Sequence, residues 1–246
     1  MNGVMDVCGT AAELVTTAAD RIAERLHDAV RVAGSASLVL SGGSTPRNIY
    51  RALTAPVYQK RFSWNNVHFF WGDERHVPPF SPESNFRMAN EALLKPAGIA
   101  ERNIHRIRAE LPAAAAAAAY EQEIQNLFSL KEGDLPEFDV MLLGLGDDGH
   151  TASLFPGTAA LTEDRRLVVA NTVTQLSTER ITMTFPVINA ARYVMILVAG
   201  TAKAAILHNV AETSMPYPVR RLAPAGDLIW LVDRDAASLL TKTTRT

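Results

Sequence analysis

Four short polar segments hold the residue types able to do chemistry: SGGSTP at 41–46, GDER at 72–75, GLGDDGHT at 144–151 and GTAK at 200–203. In the first, Gly42 and Gly43 allow the backbone to approach a ligand closely, and a helix opening after them would present unpaired N–H groups to an anion. The hydroxyls of Ser44 and Thr45 can add donors. The lysine of a P-loop is missing, and the spacing is not GxGxxG. An ordinary glycine turn with a Ser/Thr cap would read the same way.

The second segment sets Asp73, Glu74 and Arg75 side by side. A guanidinium matches phosphate or carboxylate bidentately. Arg75 could equally be tied up by one of the two acids, with Asp73 holding it while facing a ligand. In the third segment three glycines permit a sharp loop, and His150 is expected near a helix start with Asp148 close by. A carboxylate beside an imidazole orients it and stabilises its charged form, the usual support for a general base. His27, His68, His76, His105 and His208 have no comparable setting. In the fourth, Lys203 places an ammonium at a helix start, against the preference of the helix dipole. That placement points to anion binding, or to a solvated surface lysine. Arg180, just before ITMT, is a further cationic candidate.

The elements around these segments explain why they could meet. Residues 10–33 carry Leu14, Ala18, Ile22, Leu26 and Val30 at helical spacing. Apolar runs at 37–41, 67–71, 138–143, 193–199 and 228–232 read as strands, with weaker candidates at 104–107, 167–170 and 181–184. Helices are expected over 47–53, near 85–94, from the alanine run at 113–119 to about 130, and over 203–210. Pro46 suits the first turn of its helix. Strands alternating with helices imply an α/β fold with a mostly parallel sheet and helices on both faces. Each of the four polar segments begins where a continuous apolar strand ends. In open α/β sheets those ends share one edge and ligands bind in the crevice there. No linker or repeat interrupts the pattern, so residues 1–246 are expected to form one domain.

Bulk properties narrow the class. The chain has 246 residues, 48% hydrophobic and 20% charged, which is globular usage. Net charge is −2, and no block of like charge suggests a nucleic-acid or membrane-surface partner. Cys8 is the one cysteine, so no intramolecular disulfide can form. The N-terminal residues do not read as a signal peptide, and apolar stretches end well short of the ~18 residues a membrane span needs. A cytoplasmic protein is expected, as a monomer or small homo-oligomer.

The segments 41–50, 69–79 with 81–89, 142–157, 179–184 and 200–204 occur together and in the same order in the 6-phosphogluconolactonase family, which this chain resembles over most of its length. DGHTASLFP is the most specific of them. The resemblance implies a Rossmann-like fold shared with glucosamine-6-phosphate deaminases. It also implies hydrolysis of 6-phosphoglucono-1,5-lactone in the pentose phosphate pathway without organic cofactor or catalytic metal. It would set Gly42, Gly43, Ser44, Thr45, Arg75, Arg180 and Lys203 around the substrate phosphate, with Asp73 and His150 at the sugar end and His150 as the base. The stretch LSTER before Arg180 departs from the family's usual prolines. The deaminase motif carries an acid five residues beyond the histidine, where this chain has Phe155. A phenylalanine cannot relay a proton, which favours the lactonase over an isomerising deaminase. A non-catalytic sugar-phosphate sensor is the third possibility, but no helix-turn-helix or basic region accompanies the domain.

Overall fold

The computed structural model describes residues 1–61 and 63–241; the expectation of a single domain over 1–246 also takes in positions outside these. The chain begins with β1 (Val4–Cys8), α1 (Ala11–Ala33), β2 (Ala36–Leu40), α2 (Ser44–Leu53) and α3 (Pro56–Gln59). It continues through β3 (Val67–Trp71), β4 (Asp73–Arg75), α4 (Asn85–Ala89), α5 (Ala113–Phe128) and β5 (Val140–Gly144). The remaining elements are β6 (Val168–Val173), β7 (Thr178–Met183), α6 (Phe185–Asn189), β8 (Tyr193–Val198), α7 (Ala204–Glu212) and β9 (Asp227–Asp233).

Local chemistry sets several of these bounds. The Thr10 hydroxyl accepts the Glu13 N–H at 3.1 Å to open α1. Gly34, at φ 79°, closes it by donating its N–H to the Val30 carbonyl. The buried stripe Leu14, Ala18, Ile22 and Leu26 faces the core, as its spacing predicts. The alanine run forms α5, which ends at Phe128 with Ser129 in the left-handed region.

Six strands form one wholly parallel sheet in the order β1-β9-β8-β5-β2-β3. Every residue of β2 and β8 is buried, which requires cover on both faces of the sheet. The chain leaves β2 toward β3 on one side, and leaves β5 toward β8 on the other. The neighbours β2 and β5 therefore flank the switch point, where diverging loops open a crevice at the carboxyl ends of the strands. The loops there are the SGG and GLG segments.

A second sheet differs from expectation. Residues 73–75 form a strand rather than a loop, and β4 pairs antiparallel with β7, which pairs antiparallel with β6. The weaker strand candidates at 167–170 and 181–184 fall on β6 and β7, which form a hairpin, whereas β4 is three residues long and pairs with residues about a hundred positions later, so no apolar run announces it. β1 was likewise not expected; it is a half-exposed edge strand. Of the 104–107 candidate, only a bridge from Ile104 to Phe69 forms. The helix expected near 85–94 is α-helical to Ala89 and π-helical over Asn90–Leu94.

Two buried tyrosines fix the strand ends that lead into the crevice. The Tyr50 hydroxyl, from α2, accepts the Ser41 N–H and donates to the Ser41 carbonyl, both at 2.8 Å. The Tyr120 hydroxyl, from α5, does the same for Trp71, at 2.8 and 3.1 Å. Burial pushes both phenols well above their ordinary range, so they remain donors. Each tyrosine satisfies two backbone groups where the sheet's ladder ends and a site loop begins. Tyr50→Phe is expected to strand both Ser41 groups and lower stability by about 1–3 kcal/mol, read as a lower denaturant midpoint at constant m. An unchanged midpoint would contradict this role.

Candidate active site

The crevice is a cleft of about 390 Å³ lined from all four polar segments. Ser41, Gly42 and Gly43 come from the loop after β2, Asp73 and Arg75 from β4, and Gly144 to Asp147 with His150 from the loop after β5. Arg180 from β7 and Lys203 from the turn before α7 complete the charged lining. Segments as far apart in the chain as Ser41 and Lys203 thus share one wall, as the strand-end argument requires.

The glycine loop is shaped by its neighbours. Gly43 sits at φ 107°, open only to glycine without strain, and directly precedes α2. A Cβ on Gly42 would lie 2.0 Å from Asn85 Oδ1, so the loop packs flat against that carboxamide. Ser44 and Thr45 open α2 as expected but are not among the residues lining the cleft; the loop offers backbone there rather than their hydroxyls.

The alternation of β4 separates its two acids. Glu74 turns inward, is 2% exposed, and accepts the N–H groups of Arg75, Asn85 and Phe86 and the Ser84 hydroxyl. Burial raises its pKa above the ordinary carboxylate range, against the pull of these donors. Glu74 therefore ties the start of α4 to β4 and so places Asn85. Asp73 lines the cleft, and one of its oxygens accepts the Ser153 hydroxyl at 2.6 Å. Asn85 donates to the Asp73 carbonyl at 3.0 Å. Ser153 is itself held by Thr182 and Asn171. Neither Asn85 nor Ser153 stood out in the sequence, because each matters through a partner the chain alone does not reveal.

The Asp73–Arg75 ion pair entertained for GDER does not form. Among the described residues no carboxylate is ion-paired to Arg75 or Arg180, although Arg75 donates to the Glu83 carbonyl. The two arginines face each other in the β4–β7 register. Burial, and next the neighbouring Arg75 charge, lower the Arg180 pKa. Two half-buried like charges directly opposite on paired strands repel each other, and the carboxylates of Asp73, Glu83 and Glu74 only partly offset this for Arg180.

His150 is held on three sides. Its Nδ1 lies 2.5 Å from Asp148 Oδ1, and the same oxygen accepts the His150 N–H. Phe155 stacks on the ring at a centroid distance of 3.9 Å. A Cβ on Gly146 would come within 2.1 Å of Nδ1, so the loop backbone closes the remaining side. With Nδ1 committed to Asp148, Nε2 is the nitrogen left for chemistry. Asp148 does not line the cleft; it reaches it through the imidazole. No helix begins at His150, contrary to expectation. Gly149 at φ 77° and Ala152 at φ 48° turn the chain back on itself, and Thr151 bridges Leu154. Lys203 does stand immediately before α7, where its ammonium meets Asp147 at 2.6 Å. Among the described residues, no helix is long and apolar enough to cross a membrane.

Comparison with known proteins agrees with this geometry. The family model described as glucosamine-6-phosphate isomerases/6-phosphogluconolactonase matches residues 9–230. The chain is 40% identical over 245 residues to a 6-phosphogluconolactonase of Nostoc sp., covering 98% of this chain and 99% of that one. It is 43% identical over 231 residues to a 6-phosphogluconolactonase of Synechocystis sp., covering 89% and 90%. The solved 6-phosphogluconolactonase from Trypanosoma cruzi superposes with a TM-score of 0.86 at 33% identity, over 98% of this chain and 97% of the other. The chain belongs to the glucosamine-6-phosphate isomerase/6-phosphogluconolactonase family.

Proposed function

We propose that this protein hydrolyses 6-phospho-D-glucono-1,5-lactone to 6-phospho-D-gluconate, a step of the pentose phosphate pathway. The observation that carries the reading is one cleft with two facing arginines in no direct ion pair among the described residues and a histidine whose Nδ1 is fixed by a carboxylate. Its relatives named 6-phosphogluconolactonase, matched over nearly their whole length, support the same substrate.

In this mechanism the phosphate sits against Arg75 and Arg180, with Lys203 and the backbone of Gly42 and Gly43 as further partners. Anchoring that remote group holds C1 of the lactone near His150. Neutral His150 takes a proton at Nε2 from a water molecule, whose oxygen forms a bond to C1. Asp148 keeps Nδ1 protonated and stabilises the imidazolium. The tetrahedral intermediate collapses with cleavage of the bond from C1 to the ring oxygen, which receives the proton from Nε2. The carboxylic acid so formed then ionises. Asp73, buried and fixed by Ser153, offers its carboxylate to sugar hydroxyls. Positioned acid–base catalysis of this kind is worth roughly 10²–10⁴-fold. Phe155 stands five residues beyond His150, where the deaminase motif has an acid, and a phenylalanine cannot relay a proton, so the deaminase reading lacks a part.

A coupled assay on freshly generated lactone, corrected for spontaneous opening, tests the reading. His150→Ala is expected to lower kcat by about 10²-fold or more while 6-phosphogluconate still binds. Unchanged turnover would remove His150 as the base. Arg180→Ala is expected to raise KM by roughly 10- to 100-fold, the worth of a hydrogen bond to a charged group, without loss of thermal stability. A defect confined to kcat would instead put Arg180 at the reacting carbon.

A further inference from the structure

The third cation of the cleft is already engaged. Lys203 Nζ lies 2.6 Å from Asp147 Oδ1, and both residues line the cleft. The Asp147 side chain is 85% exposed and the Lys203 side chain 30% exposed, so the acid reaches in from solvent to a cation set deeper. The backbone of Lys203 is placed independently of this partner. Its N–H is held by the Gly200 carbonyl at 3.0 Å, and the Gly200 N–H is held in turn by Asp233.

A phosphomonoester is close to a dianion at neutral pH. Such a group arriving at Lys203 meets a carboxylate already in contact with the same ammonium. An exposed ion pair is weak enough to be displaced, but the displaced acid remains tethered beside the phosphate and repels it. We propose that Asp147 competes with the phosphate of the ligand for Lys203, and so tunes specificity by holding affinity for phosphorylated ligands below what the three cations alone would give. The inference rests on the reading above in that Lys203 faces the phosphate. The product carries the same phosphate and adds a carboxylate, so Asp147 weakens its hold as well and favours its departure. A sugar lactone without phosphate has nothing to displace, and Asp147 is indifferent to it.

The test is Asp147→Asn in the full chain. Calorimetric titration with inorganic phosphate and with 6-phosphogluconate is expected to give two- to tenfold tighter binding than wild type, in line with the modest worth of exposed pairs. KM for the lactone should fall in parallel, while binding of unphosphorylated gluconate stays the same. The gain should shrink in about 1 M salt, where the screening length is near 3 Å. It should vanish when Lys203→Met is added, because the competition runs through the ammonium. Weaker or unchanged phosphate binding in Asp147→Asn, or a gain that survives Lys203→Met, would overturn the proposal. If the variant binds phosphate more tightly but neither form opens the lactone, the functional reading fails and the competition stands. Absence of phosphate binding in both forms would overturn the two together.

Discussion

Two guanidiniums brought face to face are the constraint around which this cleft is organised. Arg75 and Arg180 are register partners on neighbouring strands, half buried and, among the described residues, in direct ion-pair contact with no carboxylate, although Asp73, Glu83 and Glu74 act on Arg180 from farther off. The repulsion between the two charges opposes this arrangement. An anion bound between the two charges would offset that repulsion, and under the proposed function the substrate phosphate is that anion. The small antiparallel sheet exists in a position that enforces this opposition. Gly72 connects β3 to β4, and its carbonyl accepts the Met183 N–H of β7 at 2.8 Å, which locks the two sheets together beside the site.

The rest of the architecture supplies the other end of the cleft at a fixed place. The switch point between β2 and β5 opens the crevice, and Tyr50 and Tyr120 hold the exits of β2 and β3 by their backbone groups. The loop after β5 is too tight to rest on glycine flexibility alone. Gly146 donates to the His150 carbonyl at 2.8 Å, and the Gly149 carbonyl accepts the Val219 N–H at 3.0 Å. These bonds, with Asp148 and Phe155, leave the imidazole little freedom. A base acting on a water needs such restraint, because its contribution depends on staying within proton-transfer reach.

Much of this was legible in the sequence, for a physical reason. Strands buried on both faces are continuous apolar runs, and a glycine ends several of them, so the loops after β2, β3, β5 and β8 could be assigned to one edge of a sheet. What escaped notice depends on partners far along the chain. Strand β1 is half exposed and carries Asp6 in its middle, so it has no apolar run to see. The strand character of GDER comes from pairing with residues about a hundred positions later. Asp73 is held by Ser153, 80 residues away, and the Lys203 ammonium meets Asp147, 56 residues away. Spacing reports neighbours on one element; it does not report contacts made by folding. The helix expected at His150 failed for a local reason instead, since two positive φ values in four residues cannot continue a helix.

The polarity of the cleft, phosphate at the arginines and reacting carbon at the histidine, is most directly tested by a crystal structure with 6-phosphogluconate bound. The expected density has the phosphate in hydrogen-bond contact with both Arg75 and Arg180 and the C1 carboxylate beside His150 Nε2. A ligand lying the other way round, or one whose phosphate ignores the arginine pair, would contradict the central claim.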